Sequence, residues 1–245
     1  MLKEFIEKIL QLGEPATIEV GETPFAKASH DLRPVLPPIP SCVPTKTLRS
    51  LITYLSEAVD SNDFTRMNSF LHIESPTEVT LKDDVNDFGQ RIERISATCG
   101  AVNGNIESAS QEAFILHLQK NFVRDQELKD LLALCGNVTA EQVNTIADDG
   151  VSQTVTKKSN TSVLEKAKVK NPWKLRPYRT FREIEQPAGE FVLRITYRSD
   201  QPLFTLVDTA DDAWALRATD DIRAWLDHEM SKLDTFKESK VVILA

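Results

Sequence analysis

The stretch Glu190-Phe-Val-Leu-Arg-Ile-Thr-Tyr197, followed by Gln201-Pro202 and then Leu203-Phe-Thr-Leu-Val207, decides the fold class. Apolar and polar residues alternate along its first half, the period of a strand with one buried face. Gln201-Pro202 marks a turn, and the second run returns as another strand. Moving outward, the chain reads as β from about Val151 to Asp208. A helical block precedes it: Ser110 or Ser108 caps a helix carrying Ala113, Phe114, Leu116, Leu118 and Phe122. Asp125 caps the next, with Leu128, Leu131, Leu132 and Leu134, and Gly136 fits its C′ position. Thr139-x-x-Gln142 is a capping box for a third, short helix. A final helix is expected from Thr219, with Asp220 and Asp221 in its first turn and Ile222, Leu226, Met230 and Leu233 on its apolar face.

The first half has the same mixed character. Leu2, Phe5, Ile6, Ile9 and Leu10 predict an amphipathic helix over 2–12, and Ala16–Val20 a short strand before Gly21. Five prolines in 32–44 make an extended connector, a strap whose Val35, Leu36, Ile39 and Val43 are apolar enough to pack. Thr45 opens a helix with Leu48, Leu51, Ile52, Leu55 and Val59 on one stripe. A hairpin over 69–81 and a strand within 90–99 follow, with a turn at Gly100–Gly104. Helices and strands thus come in blocks without strict βαβ alternation. The fold class is α+β, a largely antiparallel sheet with several packed helices, no internal repeat and no Rossmann or P-loop unit. Residues 1–44 read as an N-terminal helix, short strand and Pro-rich strap, and 45–245 as the main domain, with a further boundary near 150.

Composition narrows the setting. The chain has 245 residues, with a formal net charge of -8 and three widely spaced cysteines, Cys42, Cys99 and Cys135. No C-x-x-C is present, so the thiols read as reduced and partly buried. No apolar run reaches the roughly 18–20 residues of a membrane helix, and the start lacks a signal-peptide core. The expected location is cytoplasmic, with no membrane partner and no cofactor.

The charge is segregated. Residues 1–156 hold 13 basic and 23 acidic side chains, and 183–245 hold seven and 13. Residues 157–182 hold nine basic side chains and one acidic, a net of +8. The candidate contact residues are Lys157, Lys158, Lys166, Lys168, Lys170, Trp173, Lys174, Arg176, Tyr178, Arg179 and Arg182. Lys166, Lys168, Lys170, Lys174 and Arg176 share one parity; Ala167, Val169, Trp173 and Leu175 share the other. Read as one strand, the bases leave by one face and the apolar groups by the other. Such a face would neutralise phosphates while Trp173, Tyr178 and Phe181 stack on unpaired bases, which offers single-stranded nucleic acid as one partner and a phage or host protein as the other. Two structural readings compete: lysines protecting a sheet edge, which Pro172 supports, and a ridge paired with acidic surface of the same protein or a neighbouring subunit. An acidic protein partner is a further alternative. The doublets Asp83-Asp84, Asp148-Asp149, Asp211-Asp212 and Asp220-Asp221 offer oxygens to Mg²⁺, which keeps a metal-dependent nuclease or hydrolase as an alternative. Turns and a helix start also account for them.

One combination of motifs is more specific. Asp148-Asp-Gly-Val-Ser-Gln-Thr-Val-Thr156 is followed by Asn171-Pro-Trp-Lys-Leu-Arg-Pro-Tyr-Arg-Thr-Phe-Arg-Glu-Ile-Glu-Gln-Pro187, Glu190-Phe-Val-Leu-Arg194 and Ala213-Trp-Ala-Leu216. Upstream stand Thr47-Leu-Arg-Ser-Leu-Ile-Thr-Tyr54 and Glu112-Ala-Phe-Ile-Leu-His-Leu-Gln119. Over about 45–226 the chain resembles the phage and prophage family typified by the enterobacterial YfdQ protein, a family without an assigned activity. It departs from that pattern at Asp208-Thr-Ala-Asp-Asp-Ala-Trp214, where close relatives carry a double glycine. The resemblance implies a cytoplasmic protein of infected or lysogenic bacteria, acting by binding and not by catalysis. The expected partners are DNA or recombination proteins, a host defence factor that it inhibits or sequesters, or further copies of itself in a homo-oligomer.

Overall fold

The computed structural model describes residues 2–13, 17–20, 23–28, 31–36, 38–59, 69–86, 88–138, 153–159, 163–199, 201–210, 212–233 and 241–245. Five helices and fourteen strands lie among them, in an α+β arrangement whose pairings are mostly antiparallel. The capping box at Thr139, the doublet Asp148-Asp149 and the first residue of Asp211-Asp212 fall outside the described residues.

The hairpin predicted from 190–207 is the centre of one sheet. Strands β12 (Gly189–Arg198) and β13 (Gln201–Asp208) pair antiparallel, with Leu193 opposite Leu206 and Ile195 opposite Phe204. β11 (Trp173–Leu175) adds at one edge and β8 (Ile106–Ser110) at the other. Helices α3 (Gln111–Asn121) and α4 (Gln126–Gly136) cover the apolar face. Phe114 stacks on Phe204 at 5.1 Å, and Phe122 meets Phe191 edge-on at 5.7 Å. Ser110 caps α3, and Asp125 caps α4 by accepting the Leu128 N–H at 2.9 Å. Asp125→Ala is expected to cost about 1 kcal/mol, read as a lower urea midpoint with an unchanged slope.

The second sheet is a meander of β5 (Ser69–Ser75), β6 (Glu78–Asp83) and β7 (Glu93–Thr98). Short parallel strands flank it: β4 (Val43–Thr45) beside β7 and β14 (Val242–Leu244) beside β5. Its core takes Leu48, Leu51 and Leu55 from α2 (Leu48–Val59), and Ile222, Leu226 and Met230 from α5 (Ala213–Ser231). Near the start of the chain lie α1 (Leu2–Gly13) and an antiparallel sheet of β1 (Thr17–Val20), β2 (Thr23–Ala28) and β3 (Asp31–Pro34).

Several expectations are corrected. The proline strap does not bury its apolar residues: Val35, Leu36, Ile39 and Val43 are all exposed. Instead the strap ends by adding β4 to the sheet edge through its backbone. The last helix begins at Ala213, not Thr219. The Thr219 hydroxyl donates to the Ala215 carbonyl at 3.0 Å within the helix, so it back-bonds instead of capping. Gly136 closes α4 from inside and Asn137 is its C-cap, while Leu116 of α3 is exposed. Finally, the basic segment is not one strand. β9 (Gln153–Ser159) and β10 (Val163–Val169) form their own two-stranded sheet, and the chain breaks at Lys170–Pro172 before β11. Pro172 has no donor for a ladder. The Asn171 side chain substitutes, accepting the Leu193 N–H at 2.9 Å and donating to the Leu193 carbonyl at 3.1 Å.

The run from Arg176 to Pro187 joins the two sheets. Leu175 is buried in the first core, whereas Phe181 and Ile184 are buried in the second. Gln186, 6% exposed, closes the loop on itself. Its Oε1 accepts the Arg179 N–H at 3.0 Å, and its Nε2 donates to the Phe181 carbonyl at 2.8 Å. Glu183 accepts the Arg49 N–H at 3.3 Å, placing a carboxylate at the positive end of α2.

Candidate nucleic-acid interface

The nine bases of 157–182 separate into three groups once the chain is folded. Four belong to the β9–β10 ribbon. Across that ladder Lys158 is opposite Leu164, Lys166 opposite Thr156 and Lys168 opposite Thr154. Residues opposed in an antiparallel pair occupy the same face. Lys158, Lys166 and Lys168 therefore stand at positions of one parity, with Thr154 and Thr156. Lys157 stands at the other parity, opposite Glu165.

A second group is neutralised within the chain. Lys170 Nζ bonds both Glu127 oxygens, at 2.6 and 2.7 Å. Arg176 Nη1 bonds Glu185 at 2.7 Å, with Asp125 4.0 Å from its Nε. Arg179 is no surface base at all, at 3% exposure. It pairs with Asp208, and its guanidinium lies 5.4 Å from the Phe191 ring centroid and 5.0 Å from that of Trp214. Room for it comes from two glycines. A Cβ at Gly104 would lie 2.7 Å from the Phe191 ring, and one at Gly189 would lie 3.3 Å from Arg179 Nη2.

The third group is Lys174 and Arg182, both exposed. Lys174 faces Glu190 across the β11–β12 ladder. Arg182 lies over the Tyr178 ring at 3.5 Å. The aromatics expected to stack on bases are spent elsewhere: Trp173 is 4% exposed and Phe181 is fully buried. For Lys170, Arg176 and Arg179 the ridge-to-own-surface reading describes the observed contacts. The ribbon lysines are placed by their register alone, Lys157 opposite Glu165 and Lys158, Lys166 and Lys168 on the other parity.

The aspartate doublets do not converge among the described residues. Asp83 is buried, bonded by Arg94 Nε at 2.7 and 2.8 Å and by the Ser69 hydroxyl at 2.8 Å. Asp220 and Asp221 lie inside α5, far from its first turn. A groove of about 340 Å³ runs between the 183–188 loop and α5, lined by Arg176, Glu183, Glu185, Arg217, Asp221 and Trp225. Two of its charges, Arg176 and Glu185, already pair with each other.

The thiols are free, and burial raises the pKa of each: Cys135 is pushed up to about 12 and Cys99 to about 11. The thiolate is the reactive form. Native protein at pH 8 is therefore expected to take iodoacetamide slowly at Cys42 and Cys99 and not at Cys135, which is modified only in denaturant; peptide mass spectrometry reads the order.

Sequence reasoning missed Asp208, Gln186, Gly104 and Gly189 as the surroundings of Arg179. Spacing gives no sign of them, since they come from three separate stretches, around 104, 186–189 and 208. No helix among the described residues is long and apolar enough to cross a membrane. Compared with known proteins, the chain matches no family model, no curated protein and no solved structure.

Proposed function

We propose that this chain is a cytoplasmic, phage- or prophage-encoded accessory protein of the family it resembles, acting by binding nucleic acid through the β9–β10 ribbon. One observation carries the reading. Four lysines and one glutamate stand on two paired strands that form a sheet of their own, a net of +3, while the remainder of the chain carries -11. Phosphate binding draws its free energy from releasing condensed counterions, so it needs cations grouped on one element more than a positive total. The acidic remainder repels the same polyanion and leaves the ribbon as the face of approach.

Fluorescence anisotropy with labelled oligonucleotides at low salt tests this. Changing Lys158, Lys166 and Lys168 together to Glu is expected to weaken binding by at least about 100-fold. Lys170→Gln is expected to leave it nearly unchanged, because Glu127 already holds that ammonium. Absence of binding at low salt overturns the reading in favour of an acidic protein partner.

A further inference from the structure

We infer that the ribbon's ligand is a duplex held by its phosphates, not an unpaired strand. This rests on the nucleic-acid reading above and names its substrate class. Sites for unpaired strands combine a cationic track with aromatic rings on which successive bases lie. In the basic segment those rings are taken. Trp173 is buried against the first core, with Lys170 Nζ 5.2 Å from its ring centroid. Phe181 is buried in the second core, and the Arg182 guanidinium covers the Tyr178 ring at 3.5 Å. The ribbon strands themselves, Gln-Thr-Val-Thr-Lys-Lys-Ser and Val-Leu-Glu-Lys-Ala-Lys-Val, contain no aromatic residue.

What the ribbon does hold suits a backbone of phosphates. Thr154, Thr156, Lys158, Lys166 and Lys168 share one parity across the ladder, with Leu164 as its one apolar member. Threonine hydroxyls and lysine ammoniums are common donors to phosphate oxygens. Successive positions of one parity are about 6.8 Å apart along a strand, and the two strands are about 4.8 Å apart. A two-stranded ribbon of that width enters a major groove about 12 Å wide, with phosphates along both walls.

The test compares a labelled mixed-sequence duplex of about two helical turns with one of its strands alone, at low salt, on the full chain. The duplex is expected to bind at least about tenfold more tightly. The Lys158→Glu, Lys166→Glu, Lys168→Glu variant is expected to lose the duplex, with circular dichroism confirming that it remains folded. Tyr178→Leu, which removes the one half-open ring of the segment, is expected to change neither affinity. Single-strand binding as tight as duplex binding, or weakened by Tyr178→Leu, overturns the duplex inference and leaves nucleic-acid binding standing. Binding to neither overturns both.

Discussion

Arg179→Ala is expected to remove about 3–5 kcal/mol of folding stability, the cost of breaking a buried ion pair from one side. The substitution strips Asp208 of its guanidinium while leaving that carboxylate mostly buried, at 18% exposure. It also removes the stacking on Phe191 and Trp214. The space beside Gly104 and Gly189 stays empty, because neither glycine has a side chain to fill it. Arg179→Lys keeps the charge and loses the planar fork, so it should fall between wild type and Ala. Arg179→Ala combined with Asp208→Ala should cost less than the two single changes added together, since the double variant leaves no unpaired charge. Guanidinium denaturation of the wild type and the four variants, Asp208→Ala among them, measures each value. A loss below about 1 kcal/mol for Arg179→Ala would show that the pair does not tie β12, β13 and the joining loop together.

Phe181→Ala carries a comparable penalty, about 3–5 kcal/mol for a fully buried aromatic ring. Its location gives it a distinct signature. Phe181 sits in the second core but is carried by a loop anchored to the first through the Arg176 carbonyl, which accepts the Val123 N–H at 2.9 Å, and through the Tyr178 N–H, which donates to the Asn121 carbonyl at 3.0 Å. Hydrogen exchange should therefore show the loss of protection first in β5, β6 and α2, with β12 and β13 keeping theirs longer. Uniform loss across both sheets would mean that the two cores open as one unit.

The elements legible in the sequence are those whose signal is local. Alternation over 190–207 located the central hairpin, and the hydroxyl of Ser110 and the carboxylate of Asp125 located two helix starts. Of the expected stripe, Leu48, Leu51 and Leu55 are fully buried and Ile52 is half-buried. What escaped depends on partners far away in the chain. β14 is three residues long and is a strand because β5 offers it an edge. β4 contains a proline and is held by β7. The parity of the basic segment survives in part, since Val169, Trp173 and Leu175 are buried and Lys170 and Lys174 exposed. Pro172 nevertheless divides it between two sheets, so a single alternating face became a ribbon followed by an edge strand. In the sequence Arg179 reads as one more surface base; only the approach of Asp208, Phe191 and Trp214 makes it an interior group.

Counterion release supplies the most direct test of the ribbon's role. The logarithm of duplex affinity is to be measured against the logarithm of salt concentration for the wild-type chain and for the Lys158→Glu, Lys166→Glu, Lys168→Glu variant. The three lysines of one parity engaging phosphates predict a wild-type slope of about -3 and a slope near zero in the variant. A flat wild-type line, or a steep line that the variant leaves unchanged, would contradict the account.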